Sequence, residues 1–253
     1  MKVVILAGGL GTRISEESHL KPKPMIEIGG KPIIWHILKH FGHYGFNDFV
    51  ICLGYRGYII KEYFANYFLH SSDVTIDIKK NTLEVHNQFS EPWKVTLVDT
   101  GEHTATGGRL KKISEFVADQ FIFTYGDGVS DLNLASLVEF HNHSGTLATV
   151  TAVQPIGRYG ALEIENKKVT AFVEKPSNGS GWISAGYFVC NRDVLNLIDS
   201  DDTTWELEPV QKLAKLGELS VYEHNGFWQS MDTLRDKVSL ENLWNSGNPP
   251  WQI

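Results

Sequence analysis

Lys2–Ala7 (KVVILA) runs directly into Gly8-Gly9-Leu10-Gly11-Thr12-Arg13 (GGLGTR), and this junction decides the fold. A short β-branched apolar run without polar alternation reads as a strand buried on both faces, and the glycines mark the loop it enters. A polar, Lys- and Pro-bearing stretch follows to about Met25. Residues 32–44 then place Ile33, Ile34, Ile37, Leu38 and Phe41 at helical spacing, and Gly45 stops that helix. Asp48–Leu53 (DFVICL) is a second buried strand and Tyr58–Leu69 a second helix. Strand, helix, strand, helix is the order of a parallel sheet with right-handed crossovers. Val74–Val98 interrupts it with short alternating pieces (VTIDI, LEV, KVTLV), expected to form an antiparallel insertion or edge.

The alternation resumes with a helix near Arg109–Val117, the strand Gln120–Thr124, a helix near Leu134–His143 and the strand Leu147–Val153. Between Gly160 and Glu174, ALEIE and VTAFVE read as a hairpin. The strand Ile183–Cys190 comes next, with helices near Asp193–Ile198 and Glu208–Lys215, a strand at Leu219–Glu223 and a terminal helix near Thr233–Trp244. No internal repeat or low-complexity linker divides the chain. The expectation is a single α/β domain over residues 1–253, with a Rossmann-like, mixed but mostly parallel sheet flanked by helices and small antiparallel additions.

The 253 residues are 42% hydrophobic and 21% charged, enough to bury one sizeable core. No stretch approaches the roughly 18 uninterrupted apolar residues of a membrane span, and the opening apolar run is too short for a signal peptide. Cys52 and Cys190 lie inside apolar runs, so buried free thiols in a reducing cytoplasm are expected. A net charge of −7 without a basic block argues against nucleic acid as a partner. An anionic substrate must therefore be held by a few placed cations.

The glycine loop supplies such a place. Its glycines let backbone N–H groups approach an anion, Arg13 adds a bidentate phosphate donor, and Lys21 and Lys23 follow closely. Ligands of such sheets bind beyond the carboxyl ends of the strands. A dinucleotide fingerprint is excluded, because Gly11 is followed by Thr12, Arg13 and Ile14, and no Gly-Lys-Ser/Thr Walker loop occurs. A plain turn would use the same glycines, but the cations shift the reading toward a triphosphate.

Asp127 follows the strand residues FIFTY between Gly126 and Gly128, which aims a carboxylate at the sheet's carboxyl edge, a placement suited to Mg²⁺. The same residue also reads as an ordinary turn aspartate, and Asp232 as the N-cap of the last helix. His36, His40 and His43 share one helical face but lack the glutamate of a zinc-protease helix, so packing is the expectation. Packing or a subunit interface likewise accounts for Trp228, Trp244 and Trp251.

Taken with Lys21-Pro22-Lys23-Pro24-Met25, the GGLGTR loop resembles the signature of the sugar-phosphate nucleotidyltransferases, and the resemblance covers almost the whole chain. EPWKVTLVDTG (91–101), TGGRLKK (106–112), FTYGDGVSD (123–131), TTWELEP (203–209) and FWQSMDTLRD (227–236) are similar to the branch that uses CTP and glucose 1-phosphate. The resemblance implies the nucleotide-diphospho-sugar transferase fold and in-line attack on the α-phosphorus of CTP, giving CDP-glucose and pyrophosphate. It implies nucleotide contacts from Leu6, Ala7, Gly8, Gly9, Leu10, Gly11, Thr12, Arg13, Lys23, Thr104, Arg109 and Gly126. Arg13 and Lys23 would be catalytic. Tyr159, Gly160, Glu174 and Lys175 would hold the sugar phosphate, and Asp127 and Asp232 a Mg²⁺ ion. A cytoplasmic homo-oligomer, for instance a hexamer, serving surface polysaccharide synthesis is implied as well. Two alternatives stay open at this level: the same chemistry with another base or sugar 1-phosphate, and a non-catalytic nucleotide-sugar sensor. Arg13, Lys23, Asp127 and Asp232 together argue against the sensor, which needs no metal and leaving-group residues.

Overall fold

The computed structural model describes residues 1–11, 14, 21–86, 91–154, 161–165, 168–173 and 181–252. In chain order the elements begin with β1 (Lys2–Leu6), β2 (Glu27–Ile28), β3 (Lys31–Pro32), α1 (Ile33–His43), β4 (Asp48–Leu53), α2 (Gly57–Ala65) and α3 (Tyr67–Ser71). They continue with β5 (Asp73–Asp77), β6 (Thr82–His86), β7 (Lys94–Asp99), α4 (Thr106–Lys112), β8 (Gln120–Tyr125), β9 (Gly128–Ser130), α5 (Leu134–Ser144) and β10 (Ala148–Val153). The rest are β11 (Ala161–Glu165), β12 (Lys168–Val173), β13 (Ile183–Asn191), α6 (Glu208–Leu216), β14 (Leu219–His224), β15 (Trp228–Ser230) and α7 (Leu234–Asn245).

Seven strands form the central sheet in the order β14-β10-β13-β8-β1-β4-β7. β1 runs parallel to β4 and β8, β4 parallel to β7, and β10 parallel to β14; β13 alone is antiparallel to its neighbours β8 and β10. The carboxyl ends of β1, β4, β7 and β8 therefore share one edge, and the amino end of β13 meets them there. β1 is buried on both faces, as its unbroken apolar run requires. Val3 and Ile5 pack with α1 residues Ile33, Ile37 and Phe41 on one side. Val4 and Leu6 pack with Leu110 of α4, Phe123, Phe188 and Trp205 on the other.

Three expectations need correction. KVTLV does not belong to an antiparallel insertion: it is β7, the parallel edge strand of the main sheet, and only VTIDI and LEV form the β5–β6 hairpin. The helix expected over Tyr58–Leu69 breaks at Asn66 into α2 and α3, and Arg192–Leu197 winds as a 3-10 helix rather than an α-helix. The hairpin near residues 160–174 is present as antiparallel β11 and β12. Cys52 and Cys190 are free and buried, and among the described residues no helix is long and apolar enough to cross a membrane.

Candidate active site

At the carboxyl edge of the sheet a cavity of about 550 Å³ opens between the glycine turn after β1, the start of α4, the end of β8 and the residue Asp232 just before α7. Its lining includes Leu6, Ala7, Gly8, Gly9, Gly11, Lys23, Thr104, Arg109, Gly126, Asp127 and Asp232, so these residues, expected from the sequence, meet at one site. Leu10 beside them is exposed. Thr12, Arg13, Tyr159, Gly160, Glu174 and Lys175 lie outside the described residues.

A small ribbon unites the two carboxylates across 105 positions of sequence. β9 and β15 pair antiparallel with Gly128 opposite Ser230, and the Met231 N–H donates to the Asp127 carbonyl at 2.8 Å. Asp232 is thereby set beside Asp127. It is not the cap of the last helix: Thr233 is, in a capping box with Asp236. Asp236 also accepts from the backbone N–H groups of Asp232 and Thr233 at 3.1 and 2.9 Å, so the cap fixes the backbone that presents Asp232.

Lys23 sits in a 3-10 turn, Lys23–Met25, that starts behind Pro22. Its ammonium donates to Asp127 at 2.6 Å and to Asp232 at 2.8 Å, with 12% of the side chain exposed. Burial works to lower the Lys23 pKa, but the Asp127 and Asp232 carboxylates raise it above its ordinary value, so the group stays cationic. Both carboxylates thus converge on one cation. A pair of this kind, with phosphate oxygens and water completing the shell, suits a hard divalent ion, which takes few protein ligands.

Arg109, buried within α4 rather than displayed at its surface, has a different setting from the one its motif suggests. Its terminal nitrogens donate to the carbonyls of Leu53, Gly101, Gly8 and Glu102 and to the Thr100 hydroxyl, at 2.7 to 3.1 Å. The guanidinium ties the glycine turn to the loop after β7. Gly8 is required for that contact, since a Cβ there would lie 2.0 Å from the Arg109 Nη1. Thr104 stands at the mouth of this loop and accepts from Lys112 at 3.2 Å.

Sequence reasoning did not single out Tyr125, Thr106 or Glu206, which also line the cavity. Tyr125 donates to one Glu206 oxygen, and Thr106 to the other at 2.6 Å. TTWELEP carries Glu206, but nothing in the local pattern marks the side chain. Its meeting with Tyr125 is made by the fold.

The histidines of α1 are packing residues. His36 and His40 are buried with Nε2 on the carbonyls of Ile28 and Leu132 at 2.9 and 2.8 Å, and His43 is exposed. Trp251 closes over His36, and Trp228 donates to the Ala185 carbonyl. Among the described residues no three histidine, cysteine or carboxylate side chains gather to hold a metal.

A strand-ended glycine turn, a lysine and two converging carboxylates meet at one sheet edge, an arrangement whose chemistry suits phosphates, and the chain belongs to the nucleotidyl transferase family, whose model matches residues 2–229. The glucose-1-phosphate cytidylyltransferase of Salmonella typhi is 59% identical to it over 254 residues, covering 100% of this chain and 99% of that protein. A Bacillus subtilis (strain 168) protein named "Probable glucose-1-phosphate cytidylyltransferase" is 41% identical, with 100% of each chain covered. The crystal structure of HddC from Yersinia pseudotuberculosis superposes with a TM-score of 0.70 at 24% identity over 96% of this chain and 99% of that one, a likeness of fold.

Proposed function

We propose that the protein transfers the cytidylyl group of CTP to α-D-glucose 1-phosphate, giving CDP-glucose and pyrophosphate. The observation that carries this reading is the 59% identity, end to end, with the Salmonella typhi cytidylyltransferase. The site supports it chemically. A phosphate oxygen of the sugar phosphate attacks the α-phosphorus in line; a new P–O bond forms as the bond to the bridging oxygen of pyrophosphate breaks. The sugar phosphate dianion is already a competent nucleophile, so no general base is required, and catalysis is positioning and charge neutralisation.

In this reading the N–H groups of Gly8, Gly9 and Gly11 and the cation of Arg13 receive the β- and γ-phosphates, and Lys23 neutralises charge at the reacting phosphates. Asp127 and Asp232 would hold Mg²⁺, which when bound supplies neutralisation of phosphate charge. Thr104 and Gly126 line the nucleoside side, and Arg109 shapes it through the two loops it joins. Tyr159, Gly160, Glu174 and Lys175 serve the sugar phosphate. A cytoplasmic homo-oligomer of chains that each form a single nucleotidyltransferase domain, supplying CDP-sugars to surface polysaccharide, completes the proposal; two buried free thiols suit a reducing compartment.

The test is pyrophosphate release by the purified protein with Mg²⁺ and glucose 1-phosphate, offered CTP, UTP, dTTP, GTP and ATP in parallel. Release with CTP, with CDP-glucose as product, is the expected result. Release with a different triphosphate alone would keep the chemistry and remove CTP from the reading. Silence with all five, and with alternative sugar phosphates, would overturn it.

A further inference from the structure

Asp127 stands just before β9 and Asp232 just after the turn that leaves β15, and each directs one carboxylate oxygen at the same ammonium. The Lys23 nitrogen lies 2.6 Å from Asp127 Oδ2 and 2.8 Å from Asp232 Oδ1, so a single positive charge sits between the two groups. The other Asp232 oxygen accepts from the Ser230 hydroxyl of β15 at 3.0 Å. The ribbon itself therefore helps to orient the pair, and Lys23 occupies the place where its charges converge.

A divalent ion held by the same two oxygens would need that place. Mg²⁺ sits about 2.1 Å from each oxygen ligand, and Mn²⁺ takes the same kind of donor. An ion and an ammonium that share both oxygens lie within about 5 Å of each other, where like charges repel strongly. The lysine side chain can leave although its backbone cannot. Pro22 and Pro24 flank Lys23, and the Met25 N–H donates to the Pro22 carbonyl at 2.8 Å, while the four-carbon stem stays free to turn. Among the described residues lining the cavity, the one other carboxylate is Glu206, already engaged by Tyr125 and Thr106. A displaced Lys23 therefore finds its anionic partner on the phosphates of a bound nucleotide.

We infer that Lys23 is a placeholder for the divalent ion: it neutralises Asp127 and Asp232 until a nucleotide arrives, then turns to the phosphates and releases the pair to the ion. The inference rests on the nucleotide-transfer reading above and adds to it an order of events, in which the metal binds well only together with the triphosphate. Mn²⁺ is the probe, its binding to nucleotide-free protein followed by electron paramagnetic resonance at pH 8, where carboxylates are ionised. The unaltered protein should bind Mn²⁺ weakly, and Lys23→Met, which keeps the stem without the charge, should bind it at least about tenfold more tightly. Lys23→Arg keeps a cation and should stay close to the unaltered protein. Adding Asp232→Asn to Lys23→Met should cancel the gain, which assigns the ion to this pair. Crystals of the unaltered protein soaked with Mn²⁺ and CTP should show Lys23 on the phosphates and the ion on Asp127 and Asp232.

No gain in Lys23→Met, or a gain that survives Asp232→Asn, would overturn the inference. So would a soaked crystal in which the ion sits on both carboxylates while Lys23 still bonds to them, a result that stands whether or not the methionine variant folds. Failure of the proposed substrate looks different. If another triphosphate is used, the nucleotide-free comparison is untouched, and that triphosphate takes the place of CTP in the soak.

Discussion

Lys23 joins the two carboxylates of the cavity, Asp127 and Asp232, through one ammonium. Replacing it by alanine should lower kcat by about 10²- to 10³-fold and raise KM much less, because its charge matters most where phosphate charge is redistributed. Steady-state kinetics in Mg²⁺ check this, and an unchanged kcat would remove Lys23 from the chemistry. Gly8→Ala makes a second case. The added methyl meets the Arg109 guanidinium at 2.0 Å, so the loop clamp must open. CTP affinity should fall at least about tenfold, by the cost of losing bonds to a charged group, while far-UV circular dichroism is unchanged. Much of this scale was legible in the sequence. Lys23 and Asp127 could be singled out from their places after the glycine loop and after a strand, whereas Asp232 read as a helix cap and joined them only through the family resemblance. What Gly8 and Arg109 do for one another was not legible, because 101 positions separate them and only a Cβ clash exposes the dependence.

The elements hold their functional residues through ordinary local devices. The Thr233–Asp236 box that starts α7 also anchors the Asp232 backbone. Thr233→Ala should cost about 1 kcal/mol of stability in denaturant titrations, and should raise the Mg²⁺ concentration needed for half-maximal activity. In α1, burial brings the His40 pKa down from 6.5 to about 4. The unfolded chain accordingly binds a proton between those values that the folded chain refuses. The His40 contribution is present above pH 6.5 and is lost as pH falls through that window, by up to roughly 3 kcal/mol. Urea midpoints at pH 7 and pH 5 should show this loss, and His40→Gln should shrink it. Element types were legible where periodicity was strong, as in α1 and β4. They were misread at β7, whose parallel pairing with β4 is a long-range contact that no local pattern encodes.

At the scale of the whole molecule, seven strands with both faces covered place every described site residue at one end and leave the thiols in the interior. Burial pushes Cys52 up to about 12, with Arg109 working against that, and raises Cys190 as well. Ellman's reagent should therefore leave both thiols unlabelled at pH 8 in the folded protein and label both in guanidinium. The order of the sheet was legible only as far as consecutive strand–helix units predict it. The reversal of β13 comes from long-range pairing that no local pattern encodes. The Gly8–Arg109 contact finally constrains how such a chain can diverge. While arginine stays at 109, any side chain at position 8 forces the guanidinium to shift from its carbonyl partners; a smaller residue at 109 removes that contact. Gly54 gains no such freedom, since the Gly8 carbonyl itself stands 2.6 Å from where its Cβ would be. Descendants should thus exchange positions 8 and 109 as a pair, while 54 stays a glycine.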